Sequence, residues 1–149
     1  MKPGSRLLQL PPSSRYAISA ALCLASIPGD GFHLVAEIAV RTGLSASYLS
    51  KILQRLALNG VIDSRRGANG GYRLGRPAAG VALSEIVSAS RRHGPRPVPC
   101  MIEARDCDCA DPCSMHLHAA RTESALWRLL TKTTLADSLL PNSRHPMSE

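Results

Sequence analysis

The sequence predicts a mainly α-helical fold with one short β hairpin and a cysteine-bearing loop before a long C-terminal helix. Three observations lead to this fold class. Apolar residues recur at helical spacing through most of the chain, a glycine-rich basic turn separates two short strand-like runs, and four cysteines lie within residues 100–113. A chain of 149 residues has the size of one domain, or of a small domain with an appendage.

Three helices are predicted in the first 60 residues. The first covers Ser13 to Ile27 and ends at a Pro-Gly pair, the second covers Leu34 to Thr42, and the third follows Ser45 as its N-cap and runs to about Leu58. The apolar stripe of the first helix is expected to contain Tyr16, Ala20, Cys23 and Ile27. That of the third contains Leu49, Ile52, Leu53 and Leu56.

The third helix also has a polar face opposite its apolar stripe. Its residues are Ser47, Ser50, Lys51 and Gln54. Short hydroxyls, an amine and an amide suit contacts with phosphates and base edges. Two short helices joined through residues 42–44 indicate a helix-turn-helix, although any small helical bundle with a solvated face would show the same pattern.

A β hairpin is predicted directly after this helix. Residues 61–64 and 72–74 form its strands, and the turn between them is basic and rich in glycine. Arg65, Arg66 and Arg73 surround the turn, where they can meet phosphates or enter the minor groove. A hairpin in this position is a wing, so residues 10–90 are predicted to form a winged helix-turn-helix DNA-binding domain.

The charge distribution favours a nucleic-acid partner for this first part. Residues 1–99 hold 13 Lys and Arg against four acidic residues, whereas residues 100–149 hold five against seven. A basic domain is suited to a polyanion such as double-stranded DNA. No apolar run is long enough to span a bilayer or resembles a signal peptide, so we expect a cytoplasmic protein that does not bind membranes.

The remaining chain divides into four segments. A short helix is predicted from Leu83 to Ser90, a linker and cysteine loop over 91–113, a long helix and a short terminal helix over 114–140, and a disordered tail over 141–149. A Thr134-to-Asp137 capping box opens the terminal helix. The long helix carries Leu117, Ala120, Leu126, Trp127 and Leu130. These side chains either pair two subunits or pack onto the first helix of the same chain.

The sequence resembles the Rrf2 family of winged-helix transcriptional regulators, which includes the IscR, NsrR and RirA types. The resemblance spans roughly residues 10–140 and rests on residues 15–17, 47–49, 56–60 and 83–86, the cysteine loop, and above all the wing sequence Arg66-Gly67-Ala68-Asn69-Gly70-Gly71-Tyr72. It implies a homodimeric regulator, expected to be a repressor, that reads an inverted repeat in double-stranded DNA. The resemblance also implies that DNA bases are contacted by Ser47, Ser50, Lys51 and Arg66. IscR-type members have glutamate and glutamine where this chain has Ser50 and Lys51, so its preferred DNA sequence is expected to differ.

The cysteines are interpreted as ligands of an iron–sulfur cluster, 2Fe-2S or 4Fe-4S. In the reducing cytoplasm, clustered thiols favour metal binding or redox chemistry over structural disulfides. Cys100, Cys107 and Cys113 match the three-cysteine pattern of cluster-binding members of the family. His116 and Cys109 compete for the fourth position, with His118 or a small external ligand as further choices. The resemblance implies that nitric oxide, redox state or iron supply controls operator affinity through the cluster.

Three other interpretations remain open from the sequence. Cys107, Cys109, Cys113 and His116 could hold a structural zinc ion, or Cys107 and Cys113 could form a disulfide switch without metal. A small iron–sulfur carrier would fit the cysteines but would leave the basic wing without a role. An enzyme is not expected, because the sequence shows no catalytic triad, phosphate-binding glycine loop or paired carboxylates.

Overall fold

The computed structural model describes residues 9–91 and 98–139, and it confirms the mainly helical winged-helix class. In chain order the elements are α1 (Pro12–Ser26), α2 (Val35–Thr42), α3 (Ala46–Leu58), β1 (Ile62–Arg65), β2 (Gly71–Leu74), a 3-10 turn (Ala78–Gly80), α4 (Leu83–Ser90), α5 (His116–Lys132) and α6 (Leu135–Leu139). The expected tail at 141–149 and most of the expected linker lie outside the described residues. Among the helices of the described ranges, none is both long and apolar enough to cross a membrane.

Helix α1 lies at the centre of the core. It packs against α2, α3, α4, α6 and β2. Its buried residues are Ser14, Ala17, Ala20, Ala21 and Leu24. The expected stripe was therefore wrong in detail: Ala20 is buried, but Tyr16, Cys23 and Ile27 are only half-buried. The alanines form the contact face because their small side chains let neighbouring helices come close.

Helices α2 and α3 form the helix-turn-helix. The backbone N–H of Leu34 donates to a carboxylate oxygen of Glu37 at 3.1 Å, which satisfies a free donor at the start of α2. Gly43 ends α2 with a φ of 71°, a conformation that favours glycine. Ser45 is the N-cap residue of α3 as expected, but its side chain makes no capping hydrogen bond. All four residues of the predicted α3 stripe are buried.

The wing is an antiparallel hairpin in which Ile62 faces Leu74 and Arg65 faces Gly71. His33 adds a third chain segment through two backbone hydrogen bonds with Tyr72, of 2.8 and 2.9 Å. A Cβ atom at Gly71 would lie 2.3 Å from the carbonyl oxygen of His33, and one at Gly70 would lie 2.3 Å from that of Arg65. The Gly-Gly pair before Tyr72 is therefore required by close backbone approach as well as by the turn.

The C-terminal elements attach to this domain through α4 and α6. Helix α5 packs mainly against α4, and α6 packs against α1. The predicted capping box is present: the N–H of Thr134 donates to Asp137 at 2.8 Å, and the N–H of Asp137 donates to the Thr134 hydroxyl at 3.2 Å. Helix α5 begins at His116, two residues later than expected, because Ser114 and Met115 lie in a turn.

We expect Gly71→Ala to destabilise the protein more than Gly67→Ala. Both glycines have positive φ, of 132° and 102°, so each substitution introduces strain of roughly 1–3 kcal/mol. Only Gly71 also faces a clash with backbone, since a Cβ at Gly67 would meet nothing within 4 Å. Urea unfolding of both variants measures the difference, and equal losses of unfolding free energy would contradict the role assigned to the His33–Tyr72 pairing.

Candidate nucleic-acid interface and cysteine loop

The predicted reading face of α3 is open to solvent. Ser47, Lys51 and Gln54 are exposed and Ser50 is half-buried, while the opposite side of the helix is fixed in the core. The Gln54 side-chain amide lies 3.5 Å from the Ser50 hydroxyl, at the limit of a hydrogen bond. These donors and acceptors can therefore turn toward a ligand without leaving a buried polar group unsatisfied.

Tyr48 belongs to the same surface, although it was not among the residues predicted for the polar face. Its ring is 38% exposed and packs edge-on against Tyr16 at 5.7 Å between ring centroids. The contact ties the start of α3 to α1. Its position between Ser47 and the buried Leu49 was the available signal, since an aromatic residue there lies on the border of the polar face.

The three predicted wing arginines have different surroundings. Arg66 is exposed and forms no salt bridge within the described part of the chain. The guanidinium of Arg65 lies over the ring of Phe32, with Cζ 4.1 Å from the ring centroid. Both groups keep their charge exposed at the hairpin, where a polyanion could approach.

Arg73 is held against the hairpin by a salt bridge and a hydrogen bond. Its guanidinium forms a salt bridge of 3.1 Å with Asp63, which faces it across the hairpin, and donates to the carbonyl of Asp30 at 3.1 Å. It also lies 4.7 Å from the Phe32 centroid. These contacts engage all three guanidinium nitrogens, so Arg73 fixes the base of the hairpin while Arg65 and Arg66 present the free charge.

The cysteine loop has a small hairpin at its start. Pro99 pairs with Asp106, the N–H of Cys100 donates to the Arg105 carbonyl at 2.9 Å, and that of Cys107 donates to the Val98 carbonyl at 2.6 Å. The Arg105 side chain pairs with Glu103 and, at 3.0 Å, with Asp111. Arg105 therefore cross-links the loop.

The thiols and His116 lie close enough to influence one another. The sulfur of Cys107 is 3.1 Å from Nδ1 of His116. The pKa of Cys100 is lowered, mainly because the backbone N–H groups of Ile102 and Glu103 donate to it and also because Cys113 does. Desolvation raises the pKa of Cys107, and the nearby charges of Cys100, Cys109 and Cys113 raise it further.

This arrangement has the right donor chemistry for a thiolate-bound metal centre, although the ligands are not gathered around one point. Soft sulfur and imidazole donors suit zinc and iron–sulfur clusters. Within residues 9–91 and 98–139, no group of three or more His, Cys, Asp or Glu side chains is arranged to hold one metal ion. Cys107, Cys109 and most of the loop are exposed, so little packing opposes the local movement that would draw the donors together.

The other candidate donors lie less favourably. His118 is exposed and its ring has no partner among the described residues, and Cys23 is half-buried on α1, where burial raises its thiol pKa. His116 occupies the first turn of α5, so a ligand bound there would touch both the loop and the long helix.

A helix-turn-helix with an arginine-bearing wing, joined through a thiol-rich loop to a long helix, defines a winged-helix regulator with a candidate metal or redox centre. The sequence model of the Rrf2 family, described as an iron-dependent transcriptional regulator, matches residues 10–140. The chain belongs to the Rrf2 family.

Individual relatives agree with this assignment. The chain is 40% identical over 82 residues to the HTH-type transcriptional regulator IscR of Klebsiella pneumoniae (strain 342), and the alignment covers 55% of this chain but only 50% of that protein. The IscR of Escherichia coli O1:K1 gives the same identity with 51% of its length covered. The chain thus matches about half the length of these curated relatives, all of which are regulators and not enzymes.

Two solved structures are similar over nearly the whole chain. Superposition on IscR of T. potens gives a TM-score of 0.72 at 25% identity and covers 98% of this chain and 96% of that one. CymR of B. subtilis, described as the global cysteine regulator, gives a TM-score of 0.67 at 28% identity and covers 89% and 97%.

Proposed function

We propose that the chain is a cytoplasmic, homodimeric transcriptional repressor whose affinity for an inverted-repeat operator depends on an iron–sulfur cluster. The observation that carries the proposal is the combination of two surfaces on one framework. An exposed polar face on α3 lies beside a wing with free arginines, and a loop with four thiols leads directly into α5.

The DNA-binding step follows from the exposed polar face. In this geometry α3 enters the major groove, where Ser47, Ser50, Lys51 and Gln54 meet base edges and phosphates. The wing lies on the neighbouring backbone, and Arg66 and Arg65 contact phosphates or the minor groove. Arg73 supports the wing from within, since Asp63 and the Asp30 carbonyl occupy its donors.

The apolar surface of α5 supports dimer formation. Leu117 is 57% exposed, Leu129 60% and Trp127 38%, and Leu130 is the buried residue of this helix. One side of α5 contacts α4, so the helix can be covered on its other side by the same helix of a second copy. Two wings then face two half-sites of the operator.

The proposed cluster ligands are Cys100, Cys107, Cys113 and His116. His116 is preferred over Cys109 as the fourth because its ring already contacts the Cys107 sulfur. When bound, the cluster supplies iron chemistry that responds to nitric oxide, redox state or iron supply. The chain's contribution is to join the thiols of the loop to the first turn of α5 through His116.

A thiol switch without metal is the second candidate. The loop carries four free thiols, and Cys107 and Cys113 are the pair expected to form the disulfide. One similar structure, with a TM-score of 0.68 at 25% identity, is described as the oxidized form of CymR from Staphylococcus aureus. A disulfide in this loop would restrain the same segment that the cluster would organise.

Replacing Arg66 with Ala should weaken DNA binding without unfolding the protein. Loss of one phosphate contact lowers the slope of log K against log salt by about 0.9, and loss of a base contact costs roughly 1–3 kcal/mol. Fluorescence anisotropy with labelled duplex DNA over a range of salt measures both effects. Arg66→Lys is the control because it keeps the charge and most of the slope. Unchanged affinity and slope in Arg66→Ala would exclude Arg66 as a DNA contact.

Protein purified without oxygen should contain iron and acid-labile sulfide and absorb visible light. Cys107→Ala should lose most of this absorption, whereas the control Cys23→Ala should keep it, because Cys23 lies on α1, packed against the core and outside the cysteine loop. Metal analysis and electronic absorption spectra measure the difference. A colourless protein without iron that cannot be reconstituted would overturn the cluster. If the affinity of this iron-free protein for DNA then differs between treatment with peroxide and treatment with dithiothreitol, the result would support the thiol switch.

His116→Ala should alter the bound cluster more than Cys109→Ala does. Removing the imidazole ligand changes the donor set and the symmetry at one iron, which changes its Mössbauer parameters and the stability of the cluster. His118→Ala is the matched control, since it removes a histidine two positions further along the same helix. A spectrum that changes in Cys109→Ala and stays constant in His116→Ala would assign the fourth position to Cys109.

A further inference from the structure

Phe32 lies between two arginines at the base of the wing. It belongs to the short segment between α1 and α2, and its ring is half-buried. The Cζ atom of Arg65 is 4.1 Å from the ring centroid and that of Arg73 is 4.7 Å away. Both distances fall within the range of cation–π attraction. Phe32 is the chain's one phenylalanine, and the sequence pattern gave it no role.

The backbone explains why these three side chains meet. His33 pairs with Tyr72, so alternation along extended chains places Phe32 on the other face of the hairpin, with Arg73 and Arg65. Gly71 faces Arg65 and has no side chain, which leaves room for the guanidinium to reach the ring. Arg73 cannot move freely, because Asp63 and the Asp30 carbonyl hold its nitrogens.

We propose that Phe32 is a positioning residue that holds the Arg65 guanidinium ready for the DNA backbone. The inference rests on the proposed function and extends it to a residue outside the helix-turn-helix and the wing. An aromatic partner restrains an arginine while leaving its N–H donors free for phosphate oxygens, whereas a carboxylate would occupy them. Arg73, which has a carboxylate partner, shows the contrasting arrangement on the same ring.

A double-mutant cycle between Phe32 and Arg65 tests the inference. The probe is a fluorescein-labelled duplex of mixed sequence, about 30 base pairs long, which accommodates two half-sites one helical turn apart. Phe32→Leu should weaken binding about two- to fivefold, which corresponds to the loss of an exposed cation–π contact. In the Arg65→Ala background, Phe32→Leu should have no further effect. Phe32→Tyr should bind like the unchanged protein.

Arg66→Ala provides the matched background, because it removes a wing charge outside the Phe32 contacts. Phe32→Leu and Arg66→Ala should therefore act additively. A purely structural role for Phe32 would weaken binding equally in both backgrounds and lower the melting temperature, and that result would overturn the inference. The inference would also be overturned if Phe32→Leu or Arg65→Ala left the affinity for DNA unchanged while Arg66→Ala still weakened it. If all wing variants bind every duplex like the unchanged protein, the proposed DNA-binding function itself fails.

Discussion

The close packing of α1 is the constraint on which the other elements depend. Ala17, Ala20 and Ala21 are fully buried, and α3, α4, α6 and β2 all rest on this helix. A buried hydrogen bond of 2.9 Å between the hydroxyls of Ser14 and Ser90 fixes α1 against the end of α4. Larger side chains at the alanines would separate these elements, which costs both contact energy and the relative placement of α3 and the wing. Helix α3 and the C-terminal segments therefore share one support.

Local signals explain how much of the fold the sequence predicted. The bounds of α4 and the strands of the wing agree with the expectation to within one residue, because glycines, capping residues and apolar periodicity act over a few positions. The inward side of α1 was assigned less well. Alanine differs little from its neighbours in hydrophobicity, so periodicity emphasised Tyr16 and Ile27, whereas tertiary packing selected the smallest residues.

The candidate sites were predictable in composition and less so in arrangement. Cysteine spacing predicts the candidate donors and helical periodicity predicts the exposed polar face of α3, since both are properties of short sequence stretches. The wing arginines differ in their surroundings because the register of the hairpin sets Arg73 opposite Asp63 and Arg65 opposite Gly71. The role of Phe32 depends on a contact between segments more than 30 residues apart along the chain. A single sequence carries no signal for such a contact.

The C-terminal helices are joined by backbone pairing to the segment that precedes α4. Immediately after α5, the Thr133 carbonyl accepts from the N–H of Leu83 at 2.9 Å, and the N–H of Leu135 donates to the Val81 carbonyl at 2.9 Å. Residues 81–83 follow the 3-10 turn that leaves β2, and Val81 and Leu135 are both fully buried. Since the pairing is both hydrogen-bonded and buried, displacing the C-terminal end of α5 would also displace residues 81–83, which lead into α4. His116 stands at the opposite end of α5, so the helix connects the thiol loop to this junction.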